Sequence, residues 1–391
     1  MKTDICLFGL SLFSGNKGCE ALAYAFLDML SEIAVRNDSK LNISLFQFYS
    51  SDNFPKPPKQ WNNLNIECFR IKHRSQEQRN LLKNSLNKAD IAFDFTEGDS
   101  FTDLYGPRRF ISQTLVKTIA IKNKIPFVLG PQTYGPFRSY FSKIWASWIV
   151  KKAYEVFSRD EESAMLLEKM TKRKAVITTD IAMALKAEGN TLPVTDRTRI
   201  GINVSALLWN GGYTGDNQFN LTVDYKKYIK TLLCKLSEQR DYEIYLIPHV
   251  IDTDYDSCEN DLKICKELQK EFPNCLLLDK LQNPNEIKNL ISQMSVFTGA
   301  RMHSTIAAFS TGVPVIPFAY SKKFENLYGA LGYEYVIDGR KIDTDEAVSM
   351  TLEYMKQNVI IKSKKNKNIL NNPENLDKLI EFLEIVHLLI I

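Results

Sequence analysis

Arg301 and His303 stand two residues apart in the stretch GARMHSTIAAFSTGVPVIPF, which runs from Gly299 to Phe318. An arginine beside a histidine, between two apolar runs, can form an anion site with an acid next to it. A guanidinium at a helix start suits a phosphate or a carboxylate. An imidazole there can deliver a proton near neutral pH. The competing reading is a turn that is merely polar. The chain offers few other histidines for such work, having four in all.

Other polar candidates also follow apolar runs. SLFSGNKGCEA places Gly15, Asn16 and Gly18 before a helical pattern, where a bare backbone can approach a ligand; a plain tight turn is the alternative. VLGPQTYGPF sets Gln132 and Tyr134 among glycine and proline, which also suits a rigid turn. VFSRDEESA sets Arg159 before Asp160, Glu161 and Glu162, and the arginine has those acids as ready partners. Lys322 and Lys323 in AYSKKFENLYG could add positive charge beside Arg301. IPHVIDTDYD holds His249 and three aspartates. Its Asp252-x-Asp254 spacing can hold a metal with a sugar nucleotide, and it equally suits a solvated loop.

The elements that must position these residues follow one rhythm. DICLFGLS, LNISLFQFY, ADIAFDF, IPFVLG and YEVFS read as strands; CEALAYAFLDMLSEIA, FISQTLVKTIAIKN and DEESAMLLEKM read as helices. A second series follows the polar stretch Lys186–Arg199. Its strands are IGINVSALL, YEIYLIPHV, CLLLD, SVFTGA and VPVIPFAY, with helices between them. Such alternation predicts parallel sheets with crossover helices. Met302, Ile306 and Phe309 share one helix face, and Gly312 suits the end of that helix. The fold class is therefore α/β, with two Rossmann-like domains facing a cleft. Their expected bounds are 1–188 and 199–391, with the last helix able to pack back on the N-terminal domain. Every candidate above lies just after an expected strand, where such sheets bind ligands.

Bulk properties narrow the function classes. The 391 residues exceed one ordinary core. With 44% hydrophobic and 25% charged residues, the composition is that of a globular chain. Fifty basic and 46 acidic residues give a net charge of +4, too balanced for a nucleic-acid binder. The basic run IKSKKNKN reads as a solvated face. Seven cysteines without a CxxC pair or a zinc-like spacing read as reduced thiols, which implies a cytoplasmic location. The N-terminal MKTDICLFGL reads as a first strand rather than a signal peptide. Nothing in the sequence is long and apolar enough to span a membrane. The tail, about Leu376 to Leu389, reads as a helix docked on the protein, leaving at most a peripheral membrane contact.

Taken in order, SGNKGCEA, TEGDSFTD, GPQTYGPF, SRDEESA, TDIAMAL, GINVSALLW, IPHV and GARMHSTIAAFSTGVPVIPFAYSKK resemble the polysaccharide pyruvyl transferase family. The resemblance runs from about Gly9 to about Tyr333. It implies a GT-B-like fold and an enzyme that moves the pyruvyl group of phosphoenolpyruvate onto a sugar as a ketal. The acceptor would be a sugar or oligosaccharide, free or lipid-linked, in exopolysaccharide biosynthesis for the cell envelope. That work would be done in the cytoplasm or at the inner face of the membrane. No cofactor or metal is implied beyond phosphoenolpyruvate as co-substrate. The family's Arg-x-His matches Arg301 and His303, the expected catalytic pair. Its donor-contacting arginine matches Arg159, and Lys322, Asn16, Gly18 and Gln132 are the further expected substrate-binding residues. Two departures fall in loops expected to face the acceptor: Cys19 replaces an acid before Glu20, and Thr96 and Glu97 precede Gly98 where a glycine pair is usual. Two other functions fit the same architecture: a GT-B glycosyltransferase with a nucleotide-sugar donor, and a non-catalytic binder of a phosphorylated metabolite.

Overall fold

The computed structural model describes residues 2–48, 54–71, 75–252, 257–280, 283–361 and 373–390. The chain forms two compact units. The first comprises Met1–Ser14, Leu22–Ile181 and Pro373–Ile391; the second comprises Gly15–Ala21 and Ala182–Asn372.

The first unit carries seven strands: β1 (Lys2–Phe8), β2 (Lys40–Gln47), β3 (Leu64–Arg70), β4 (Ile91–Asp94), β5 (Phe127–Gln132), β6 (Glu155–Ser158) and β7 (Val176–Ile177). They lie in the order β3-β2-β1-β4-β5-β6-β7, all parallel. β4 and β5 are buried along their whole length, as strands in a sheet covered on both faces must be, each ending on a buried polar residue, Asp94 or Gln132. The final helix, Pro373–Ile390, belongs to this unit. It buries Phe382 and Val386, with the Phe382 ring 4.9 Å from Phe157 and 6.2 Å from Phe26. This is the apolar face expected of the tail.

The second unit repeats the design with β8 (Thr198–Asn203), β9 (Tyr242–Leu246), β10 (Leu276–Leu277), β11 (Val296–Gly299), β12 (Val315–Ala319) and β13 (Ile337–Asp338). Their order is β10-β9-β8-β11-β12-β13, again all parallel. The helix Tyr225–Ser237 shows why these segments fold as they do. Asp224 caps it by accepting from the Lys227 N–H, and Tyr225, Tyr228, Ile229, Leu232, Leu233 and Leu236 form one buried stripe. Both sheets are α/β and Rossmann-like, each with its order reversing beside its first strand.

The structure differs from the sequence reading in several places. YEIYLIPHV leaves the sheet after Leu246, because Pro248 has no N–H to offer the ladder. The polar stretch Lys186–Arg199 lies within the second unit, and the change of unit falls at Ile181/Ala182. Hydrogen bonds from Asn285 to the Lys186 carbonyl and from Asn289 to the Asn190 carbonyl hold that stretch against the helix Pro284–Ser292. The polar region after β2 hides β3 and the helix Gln76–Lys88, in which only Leu82 and Leu86 are buried. Asp254, and all of IKSKKNKN except Ile361, lie outside the described residues.

Candidate functional site

In the second unit the strand order reverses between β8 and β11, so their carboxyl ends open a crevice. Asn203, the last residue of β8, is fully buried there. Its Oδ1 accepts from the Arg301 N–H at 3.0 Å, and its Nδ2 donates to the Ile247 carbonyl at 3.1 Å. One side chain thus ties together the loops after β9 and β11.

Arg301 precedes the helix Met302–Ser310, and no side chain caps that helix. Its guanidinium is buried and engaged. Nε donates to both oxygens of Asp261 at 3.2 Å, and Nη2 donates to Asp261 Oδ1 and to the Glu259 carbonyl, each at 2.9 Å. Among the described residues Nη1 meets only the Glu259 carboxylate, at 3.3 Å, and that carboxylate is part-exposed. Burial pulls the Arg301 pKa down, but the charge and hydrogen bonds of Asp261 together with the Glu259 charge outweigh it, so the group sits above its ordinary value and stays charged. Asp261 also accepts from the backbone N–H groups of Ala206, His249 and Val250. This buried carboxylate therefore organises the loops after β8, β9 and β11 at once.

His303 lies one residue into the helix, half-buried. Its ring packs on Gly18: a Cβ built there would stand 2.4 Å from Nδ1. The segment around Gly18 is part of this second unit. Asn16 pairs with Val250 as an antiparallel bridge, and the Lys17 N–H donates to the His249 carbonyl at 2.9 Å. Asn16 Oδ1 accepts from the Gly18 N–H, and the buried Glu20 holds both Lys17 Nζ, at 2.7 Å, and the Gly15 N–H. Asn16 and Gly18 are thereby brought to Arg301 and His303 by the loop, although a whole sheet separates them in sequence. His249 is here too, 3% exposed. Burial first, then the charges of His303, Arg301 and Lys17, push its pKa well below the ordinary value.

The first unit holds the other expected residues. Arg159 follows β6, its N–H donating to the carbonyl of Gln132 at 3.3 Å. Its buried guanidinium reaches Asp180 at 2.7 Å through Nη1 and Thr133 Oγ1 through Nε. Gly98 approaches it closely, since a Cβ there would be 3.2 Å from Arg159 Nη1. Burial lowers the Arg159 pKa, and the charges of Asp180, Asp99 and Asp160 with the Asp180 hydrogen bond more than restore it. Gln132 is fully buried, with Nε2 donating to the Asp94 carbonyl and Oε1 left without a partner among the described residues. The turn after β4 carries Thr96 and Glu97 at positive φ, a conformation that β-branched residues rarely adopt and that functional loops often hold. Lys322 starts the helix Lys322–Ala330 and is exposed, with no hydrogen bond or ion pair among the described residues.

Sequence reasoning missed Asn203, Asp261 and the ion pair of Asp94 with Lys117. That pair is fully buried at 2.9 Å, and the lysine lies 4.8 Å above the Phe101 ring. Asp261 had one signal, an acid at a helix start, which helix dipoles already explain. Among the described residues no three His, Cys, Asp or Glu side chains group to hold a metal. No helix among them is long and apolar enough to cross a membrane.

The sequence profile of the polysaccharide pyruvyl transferase family matches residues 16–322, a span that takes in Asn16, Gly18, Arg159, Arg301 and His303. The chain belongs to that family. As a member, it is a transferase of the polysaccharide pyruvyl transferase class with a GT-B-like fold, and solved structures bear out the fold. A putative UDP-N-acetylglucosamine 2-epimerase from Listeria monocytogenes is similar with a TM-score of 0.59 at 12% identity, covering 98% of this chain and 95% of its own. UDP-GlcNAc 2-epimerase from Neisseria meningitidis, bound to UDP-GlcNAc, gives 0.54 at 13%, covering 97% and 100%. Sucrose-phosphate synthase from Thermosynechococcus elongatus gives 0.53 at 12%, covering 99% of both chains. No curated protein matches the sequence significantly.

Proposed function

We propose that this family member transfers the pyruvyl group of phosphoenolpyruvate to two hydroxyls of one sugar, forming a ketal and releasing phosphate. The observation that carries the reading is the placement of Arg301 and His303. The family's Arg-x-His falls at the reversal point of a Rossmann-ordered sheet, on an uncapped helix start. Phosphoenolpyruvate brings a phosphate and a carboxylate to such a place.

Residue roles follow from the chemistry. His303 gives a proton to the methylene carbon of the donor, which makes C2 electrophilic. One sugar hydroxyl adds to C2, the bond from C2 to the phosphate oxygen breaks, and the second hydroxyl closes the ring. Of the two hydroxyl protons, one replaces the proton His303 gave and the other leaves with phosphate. Arg301 offers the donor its Nη1 edge, where the part-exposed Glu259 is the group to be displaced. Asp261 keeps the guanidinium aimed while that exchange occurs.

The test is a thermal-shift and calorimetric comparison of phosphoenolpyruvate with nucleotide sugars. The reading expects phosphoenolpyruvate to bind and Arg301→Ala to weaken it by roughly 1.5–3 kcal/mol, the worth of a charged hydrogen bond. Arg159→Ala is expected to do the same, given the donor contact that the family resemblance implies. Stabilisation by a nucleotide sugar alone favours the glycosyltransferase reading.

A further inference from the structure

His249 belongs to the IPHV segment, and the reaction just described gives it no task. Its surroundings are nonetheless specific. The residue is 3% exposed, yet neither Nδ1 nor Nε2 has a hydrogen-bond partner among the described residues. Its backbone is fully used: the N–H donates to Asp261 and the carbonyl accepts from Lys17. The ring is therefore held in place by a frame that leaves both of its polar atoms unanswered. Buried polar atoms in folded chains are nearly always paired, and an unpaired one raises the energy of the empty protein. An apolar ring would serve packing better. Among the described residues the charged and titratable groups that act on its ring are His303, Arg301 and Lys17; Arg301 is paired with Asp261 and Glu259, Lys17 with Glu20, and Asp261 lies on the backbone side.

We propose that His249 is a ligand-contacting residue of the second unit's site, its ring N–H donating to an oxygen of the anionic co-substrate beside His303. The inference rests on the reading of that site as the donor site and adds a second imidazole to it. The two rings divide the work. His303, half-buried on Gly18, reaches the reacting carbon. His249, enclosed and kept neutral by burial and the cations around it, supplies a fixed donor that cannot compete for the proton being transferred. The ligand class is a small phosphorylated or carboxylated anion. The second ring nitrogen, an acceptor in the neutral ring, is left to take a hydroxyl proton donor such as the attacking sugar.

The experiment titrates phosphoenolpyruvate, and separately inorganic phosphate, into the full-length protein and its His249→Phe and His249→Gln variants, with melting temperature recorded for each. His249→Phe is expected to raise the melting temperature of the empty protein, since two unanswered nitrogens disappear. It is expected to weaken phosphoenolpyruvate at least tenfold. His249→Gln, which keeps a donor and an acceptor, is expected to retain more of the affinity. Unchanged affinity in a folded Phe variant overturns the proposal, and His249→Gln decides the same point if the Phe variant does not fold. Wild-type protein that binds phosphate but not phosphoenolpyruvate overturns the donor reading alone, and His249 is then judged by the phosphate titration. Wild-type protein that binds neither overturns both.

Discussion

Gly18 and His303 share a contact that leaves no room for a methyl group: a Cβ on Gly18 would lie 2.4 Å from Nδ1, 2.9 Å from Cγ and 3.0 Å from Cβ of the histidine. The whole imidazole would have to move. Gly18→Ala is therefore expected to fold normally and to lose about 10²-fold in turnover, the scale of a misplacement of about 1 Å at a reacting group. Turnover measured beside melting temperature checks this. Full activity would show that the contact does not position the ring.

His303→Gln separates proton transfer from hydrogen bonding. Glutamine keeps a donor and an acceptor but cannot shuttle a proton. Turnover is expected to fall about 10²–10⁴-fold, with phosphoenolpyruvate affinity changed far less. Near-normal turnover would leave His303 a structural partner only.

Asp261→Asn tests the carboxylate that holds Arg301. Asparagine preserves the shape and removes the charge, leaving a buried guanidinium with Glu259 as its one counter-charge among the described residues. A loss of about 3–5 kcal/mol in urea unfolding is expected, the usual result of breaking a buried pair. Donor affinity should fall with it, because the guanidinium is no longer aimed. A stability change near zero would show that Asp261 is not the organising anion.

His249 sets a pH dependence whose sign follows from burial and the nearby cations, which hold its pKa well below 6.5 in the folded chain. Below pH 6.5 the unfolded chain takes a proton that the folded chain refuses. Stability is therefore complete above that pH and falls as pH drops through the window toward the lower folded value. The slope is at most about 1.4 kcal/mol per pH unit for one proton. Urea midpoints between pH 8 and pH 5.5 are expected to decline in wild type and to decline less in His249→Gln. Equal slopes would remove His249 as the cause.

The strand and helix rhythm was legible because parallel strands buried on both faces must be apolar runs, as VIPFA is and as IAFD is up to its last residue. The helix Gln76–Lys88 was not, since two buried leucines make no periodic stripe. Arg301 and His303 stood out as candidates because they follow β11 closely, where such sheets bind ligands. Asp261 and Asn203 could not, because their importance lies in hydrogen bonds to loops some 40 to 100 residues away. The same holds for the loop at Gly15–Ala21. Sequence order assigns it to the first domain, but its backbone pairs with residues 249–251. His249 read as one member of a solvated loop because nothing in its local sequence signals that it is buried.

The most direct measurement of the central claim is product mass after incubation with phosphoenolpyruvate and a panel of free and lipid-linked oligosaccharides in deuterated water. The account predicts a pyruvyl ketal on one sugar, one phosphate released per ketal, and one solvent deuterium in the new methyl group, all lost in His303→Gln. A ketal that forms at wild-type rate in that variant, or sugar transfer from a nucleotide donor with phosphoenolpyruvate left intact, would contradict it.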